Sequence, residues 1–345
     1  MRIIILLLFI VSQLFGQGFN GNSLGWTPMG FSVSTANFSL TDDFASSLNA
    51  AWTSGTWSVS GHKAVNTPTF GAELAADNTA TSTVTEADAT TGYGAAVSTL
   101  SSITDNRPGS SGTKAMNVLS TGTNGYATFG YITTTGNWCI LNLWHKEESG
   151  SASQFYEQSN AVLFNPTTSA TWTDLHYVYR AGASKNWRLY SPVNTYNVVY
   201  DDVSLRAFNV SSMFATVTTG VQSYTIHADT VTITKYTQAG VVVAFADSLN
   251  WIAAYHDGTN VTLLQDSAGT YRELIAPTAK TYAANATFSA TRSGTNGATV
   301  AVTYNGSAVG SGVTILSSTI LVATKCGMFS TYSGNSIGKI RITSP

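Results

Sequence analysis

Apolar residues in this chain alternate with Thr, Ser and Gly in short runs and almost nowhere recur at helical spacing, which restricts it to sheet structures. Val241–Phe245, Trp251–Tyr255, Val261–Leu264 and Tyr271–Ile275 are short strand-like runs of this length, set off by Gly, Asn or Asp. Their joints carry turn chemistry. Asp257-Gly258 and Asn305-Gly306 are pairs that accept the positive φ of tight hairpins, while Asp247–Asn250 and Asp266–Gly269 make slightly longer connections. Many short antiparallel strands with regular turns predict an all-β chain built as β-sandwiches or jelly rolls.

Charge narrows the function classes. Only 10% of the 345 residues are charged, with a net charge of −2, against roughly 25% charged in an ordinary soluble domain. Sixteen Lys and Arg spread thinly give no basic stripe to neutralise phosphates, so an electrostatic nucleic-acid interface is excluded. Met1-Arg2, the apolar run Ile3–Ile10 continuing through Val11, Leu14 and Phe15, and then Gly16-Gln17 read as a secretory signal peptide over 1–17 with a linker over 18–37. That apolar run is too short to span a bilayer, and no later segment is long enough, so the expectation is a secreted, extracellular chain without a transmembrane segment. With only Cys139 and Cys326, stability must come from packed cores and not from disulfides.

Length at roughly 150 residues per domain points to two domains. Gly71-Ala72-Glu73-Leu74, the turn Arg107-Pro108-Gly109-Ser110-Ser111-Gly112, the strand Asn142-Leu143-Trp144-His145-Lys146 and the closing Tyr200-Asp201-Asp202-Val203-Ser204-Leu205 together resemble carbohydrate-binding modules of the CBM4/9/22 type, which are jelly rolls. On either side, Asp42-Asp43-Phe44, Trp52, Gly55–Val59 and Ala64–Thr67 resemble the opening strands of a laminin-G or concanavalin-like jelly roll whose remaining strands follow only after residue 210. The expectation is a discontinuous jelly roll over 38–69 plus 208–345 with the binding-module-like jelly roll, 70–207, inserted in it; two tandem domains are the alternative. Insertion requires Thr67–Gly71 to lie beside Ala207–Met213.

There is no His-Glu-x-x-His, no P-loop and no Cys pair at zinc spacing. Glycoside hydrolysis needs two carboxyls facing each other across the bond, and Glu86-Ala87-Asp88 and Glu147-Glu148 both read as solvated loop acids. Binding is easier to place. Sugars offer apolar C–H faces to flat rings and hydroxyls to amides and cations. Alternation on 138–146 sends Leu141, Leu143 and His145 to the core and Asn142, Trp144 and Lys146 to the opposite face, with Trp172, Trp187 and Tyr190 as neighbouring candidates. The resemblance further implies a structural Ca²⁺ held by Glu73, Asp201 and Asp202, with Asp201 on the inward side beside Val203. The expected partner is a polysaccharide or cell-surface glycan, bound without turnover. An appendage protein of a phage or virion, and a glycoside hydrolase with an unrecognised site, are the competing classes.

Overall fold

The computed structural model describes residues 37–345 except 76–89, 91–92, 106, 111–113, 132–135, 148–152, 158–161, 165–168 and 182–185. The expected signal peptide, most of the expected linker, Glu86-Ala87-Asp88 and Glu148 therefore lie outside the described residues. The chain opens with β1 (Ser39–Asp42), β2 (Trp57–Ser60) and β3 (Lys63–Asn66). Then follow β4 (Phe70–Glu73), β5 (Gly94–Ala96), β6 (Ser98–Ile103), β7 (Ala115–Ser120), β8 (Gly125–Tyr131), β9 (Trp138–Glu147), β10 (Gln154–Glu157), β11 (Val162–Phe164), β12 (Thr173–Arg180), β13 (Asn186–Ser191) and β14 (Asn197–Phe208). The last series is β15 (Phe214–Thr218), β16 (Tyr224–Thr232), β17 (Ala239–Asp247), β18 (Asn250–His256), β19 (Asn260–Ser267), β20 (Thr270–Ala279), β21 (Ala286–Ser293), β22 (Thr299–Tyr304), β23 (Ser307–Ala308), β24 (Val313–Thr314), β25 (Lys325–Ser330) and β26 (Ser336–Thr343). One short helix, α1 (Ser318–Leu321), precedes β25.

These strands make four antiparallel layers. Layer 1 runs β2-β3-β26-β16-β21-β22-β23, with β1 also on β26 and β24 also on β22. Layer 2 runs β15-β25-β17-β18-β19-β20, layer 3 runs β12-β9-β14-β7-β6 with β4 also on β14, and layer 4 runs β11-β10-β13-β8-β5. Strands before residue 67 thus share a sheet with the last strand of the chain, while β4–β14 form two sheets of their own. Segments 67–71 and 207–213 run side by side: Asn209 N–H donates to Thr69 O (2.9 Å), Thr69 N–H to Ser212 Oγ (2.9 Å), and Asn66 Nδ2 to Ser212 O (3.0 Å). The predicted hairpins have the backbone their residues permit, with Gly258 at φ 93° and Asn305-Gly306 at 48° and 76°.

Three apolar cores separate the four layers. Phe44, Trp57, Ile226, Val241, Ile252, Phe288, Cys326 and Ile340 fill the space between layers 1 and 2, and Leu141, Leu143, Phe155, Trp187, Leu189, Val203 and Leu205 that between layers 3 and 4. The third core joins the two sandwiches. Trp138, Ile140, Val178 and Phe208 from layer 3 pack on Phe214, Val242, Trp251, Ala253, Tyr255, Leu264 and Phe329 from layer 2. Layer 2 is consequently covered on both faces, and β18 is buried at every position from Trp251 to His256. Cys139 and Cys326 are buried in different cores.

Asp266 on β19 is fully buried among these rings, paired across the strands with Trp251 and Tyr271. Burial pushes its carboxyl up to about 6, against weaker downward pulls from the Gly269 N–H and the Tyr271 hydroxyl. A raised folded-state pKa means that the group's favourable contribution is complete below the unfolded value near 4 and is lost as pH rises through 6. Raising pH from 4 to 8 should therefore cost the wild type on the order of 2 kcal/mol more than it costs Asp266→Asn. Urea unfolding of both proteins at the two pH values checks this, and equal pH dependence would refute it.

Candidate functional site

The site grows out of the alternation on β9. Cys139, Leu141 and Leu143 enter the core against layer 4, and His145 and Glu147 share their buried side. Trp138, Ile140, Asn142, Trp144 and Lys146 share the other face. Layer 2 covers the first two of these, and beyond its margin Asn142, Trp144 and Lys146 stand half-buried. Strand register sets their neighbours. Trp144 lies between Asp174 on β12 and Asp201 on β14, and Asn142 between His176 and Ser204.

Trp144 and Trp172 each carry a cation, and each of these cations carries an acid. The 107–110 turn lies beside Trp144 so that the Arg107 guanidinium sits 4.9 Å from the ring centre while it pairs with Asp202. Lys146 lies 5.4 Å from the ring of Trp172 and pairs with Asp105. Next to them runs a polar chain that crosses between the sandwiches. His176 Nδ1 is 2.7 Å from Asn142 Oδ1, and its Nε2 is 2.9 Å from Asp174 Oδ2 and 2.6 Å from Tyr332 Oη, which comes from the turn between β25 and β26. Desolvation, then the nearby Asp174 charge, raises the Tyr332 hydroxyl above its ordinary value. The face ends at a cleft of about 190 Å³ between the β12 edge and the 234–236 loop, lined by Thr173, Asp174, His176, Lys235 and Tyr236.

Four expectations are corrected. Trp187 is not on this face: it is buried in the core between layers 3 and 4, stacked on Phe155 with centroids 4.4 Å apart. Its neighbours Trp187 and Leu189 point inward, so Tyr190 occupies the far face of layer 4, packed 5.0 Å from Tyr126 with Arg188 Nη1 donating to its hydroxyl (3.2 Å). Glu147 is no loop acid. It is buried at the end of β9, accepts from Ser153 N–H (3.0 Å) and Ser169 N–H, and lies 3.2 Å from His145 Nδ1. These bonds hold its carboxyl below the ordinary value although burial, the largest single influence, pulls it upward. Asp201 does not share the side of Val203, because a bulge at Asp202, with φ 47°, resets the alternation between Asp201 and Ser204. Its carboxylate stays on the Trp144 side, buried under the turn, where it accepts from Arg107 N–H (3.0 Å) and Asp202 N–H (2.8 Å).

Calcium would need several uncommitted oxygens converging on one point. Glu73 Oε1 already accepts from the N–H groups of Leu74 (3.2 Å), Ala75 (3.1 Å) and Leu205 (2.6 Å), and Oε2 from Ser204 Oγ (2.7 Å) and Arg206 Nε (2.9 Å). Asp202 is paired with Arg107. Glu73, Asp201 and Asp202 as placed do not fit the ion, and among the described residues no group of three or more acids, His or Cys could hold a metal. Sequence reasoning missed Arg107, Asp174 and His176 as members of the face. Alternation on 173–180 carries the signal for the last two; the turn that brings Arg107 over Trp144 leaves none.

No family model matches the chain, and no curated protein matches it in sequence. Among solved structures it is similar to an arabinose-bound family 51 α-L-arabinofuranosidase, with 16% identity, a TM-score of 0.31, and 40% of this chain on 27% of that one. It is also similar to the N-terminal tandem CBM22 domains of a Paenibacillus barcinonensis protein, with 9% identity, a TM-score of 0.31, and 79% of this chain on 98% of that one. A carbohydrate esterase of the Shiga toxin-encoding bacteriophage phi24B is similar at 9% identity and a TM-score of 0.21, with 81% of this chain on 99% of that one.

Proposed function

We propose that this protein is a secreted glycan-binding protein that holds its ligand on the outer face of layer 3 and does not turn it over. The observation that carries this reading is the row of Trp144 and Trp172, each with a cation on its ring, beside the Asn142–His176 amide and imidazole pair. Flat rings accept the C–H face of a pyranose, and the adjoining amide, imidazole and carboxylate groups match its hydroxyls. Arg107 and Lys146 restrict their rings before any ligand arrives, which lowers the ordering cost of binding. Non-turnover is supported by the acids on the face, whose oxygens are engaged by Arg107, Lys146, His176 or backbone N–H groups and are not poised as a facing acid and base.

A glycan array probed with residues 37–345, followed by calorimetric titration of the best binder, tests the proposal. Trp144→Ala and Trp172→Ala should each weaken binding about tenfold or more, equivalent to about 1.4 kcal/mol, without lowering the melting temperature by more than a few degrees, and EDTA should leave affinity unchanged. No reducing ends should accumulate on prolonged incubation. A folded protein that binds no glycan, or binds one equally well in both variants, overturns the assignment to this face.

A further inference from the structure

Layer 2 and the segments 53–56, 69 and 211–212 line a second, larger cleft that the glycan face does not use. It has a volume of about 570 Å³, within the range of roughly 300–1,000 Å³ typical of ligand sites, and sits where the chain crosses from one sandwich to the other. Its floor is the margin of layer 2 beside the core shared with layer 3. Phe214 and Phe245 lie there with ring centres 5.1 Å apart, and strand register places Lys325 directly opposite Phe245. Thr53, Thr56 and Ser211 rise around this floor. One wall is fixed by the reciprocal bonds of Thr53 and Thr216, N–H to O at 2.7 and 3.0 Å, and another by Thr69 on Ser212.

Chemistry inside the cleft is one-sided. Lys325 is its only charged lining residue, and among the described residues no carboxylate lies within ion-pairing distance of it. Thr56 spends its hydroxyl on Asn66 and Ser212, whereas no hydrogen bond of the Thr53, Ser211 or Thr216 hydroxyls is seen among the described residues. An unneutralised ammonium over an aromatic floor, ringed by free hydroxyls, suits a ligand with one anionic group, an apolar ring face and several hydroxyls. We infer that this cleft binds a carboxylate-bearing saccharide of the uronate class, with the carboxylate on Lys325 and the ring face on Phe245. The site is separate from the Trp144 face and does not depend on it.

The test uses residues 37–345 and short oligomers of galacturonate, glucuronate and mannuronate, each offered as the free acid and as its methyl ester, which keeps shape and removes charge. At least one acid should bind at least tenfold more tightly than its ester. Lys325→Met should abolish that preference, Lys325→Arg should restore it, Phe245→Ala should weaken acid and ester alike, and Trp144→Ala should leave both unchanged. A folded protein that binds none of the acids, or that prefers acid over ester equally with Met at position 325, overturns the inference. Loss of uronate binding in Trp144→Ala instead moves the ligand to the other face. Neutral-glycan binding lost only in Trp144→Ala bears on that face alone, so the two readings fail separately.

Discussion

Arg292→Met is expected to destabilise the protein by about 3–5 kcal/mol, close to the whole stability of many domains. Arg292 projects from β21 into the core between layers 1 and 2 with no measurable exposure. Its guanidinium donates to Gly297 O (2.8 Å), Ala323 O (2.6 Å), Ile320 O (3.3 Å) and Leu321 O. The last three are carbonyls at the end of α1, a helix of one turn; Ile320 O also accepts from Ala323 N–H (3.1 Å), so the guanidinium matters most to Leu321 O and Ala323 O. A cation there is favoured by the end of the helix, and each carbonyl left dry without a donor costs about 1–3 kcal/mol. Urea unfolding should show a lower midpoint at an unchanged slope. Lys at this position reaches fewer carbonyls from one point charge and should recover only part of the loss. A fall below 1 kcal/mol would mean that α1 repacks without the guanidinium.

Trp138→Ala is expected to remove about 3–5 kcal/mol, and to remove it from the junction between the sandwiches. Trp138 is buried at the start of β9, edge-on to Tyr255 (6.4 Å) and Tyr271 (6.1 Å). Beside the third core, polar links cross the same boundary. Val178 N–H donates to Tyr236 O (2.9 Å), Arg180 lies 4.7 Å above Tyr271, and Tyr332 meets His176. With the indole gone, layers 1 and 2 and layers 3 and 4 should unfold as two resolved calorimetric transitions, against one expected for the wild type. A single transition displaced by less than a few degrees would show that the backbone crossing at Thr69 and Ser212 couples them unaided.

The strands and hairpins were legible because their signals are local. Val241–Phe245, Trp251–Tyr255, Val261–Leu264 and Tyr271–Ile275 all fall inside observed strands, and the Asp-Gly and Asn-Gly joints hold the predicted turns. Alternation also placed Leu141, Leu143 and His145 inward and Asn142, Trp144 and Lys146 outward. It failed where a strand departs from period two: the bulge at Asp202 moves Asp201 to the face opposite that expected, and nothing in Tyr-Asp-Asp-Val marks the bulge. Glu147 was misread because its partners, the backbones of Ser153 and Ser169, are brought to it by the fold. The four-layer stacking did leave a trace. Trp251-Ile252-Ala253-Ala254-Tyr255 has no polar alternate, and a strand apolar on both sides is one covered on both faces.

Because β1 is the antiparallel neighbour of β26, with Ser39 opposite Thr343, the two ends of the described chain leave the molecule at the same place. Phe38 and Ser344 extend that pairing by two further bonds of 2.8 and 2.9 Å. A tether pulling on both ends would peel this ladder open one bond at a time, since the bonds lie across the strands and along the pull. Layers 3 and 4, which the chain enters and leaves beside the Asn209–Thr69 bond, stay off the line of force until β1 has separated from β26. Under load the host sandwich would yield first, and the ring-bearing face of layer 3 would keep its shape while it did.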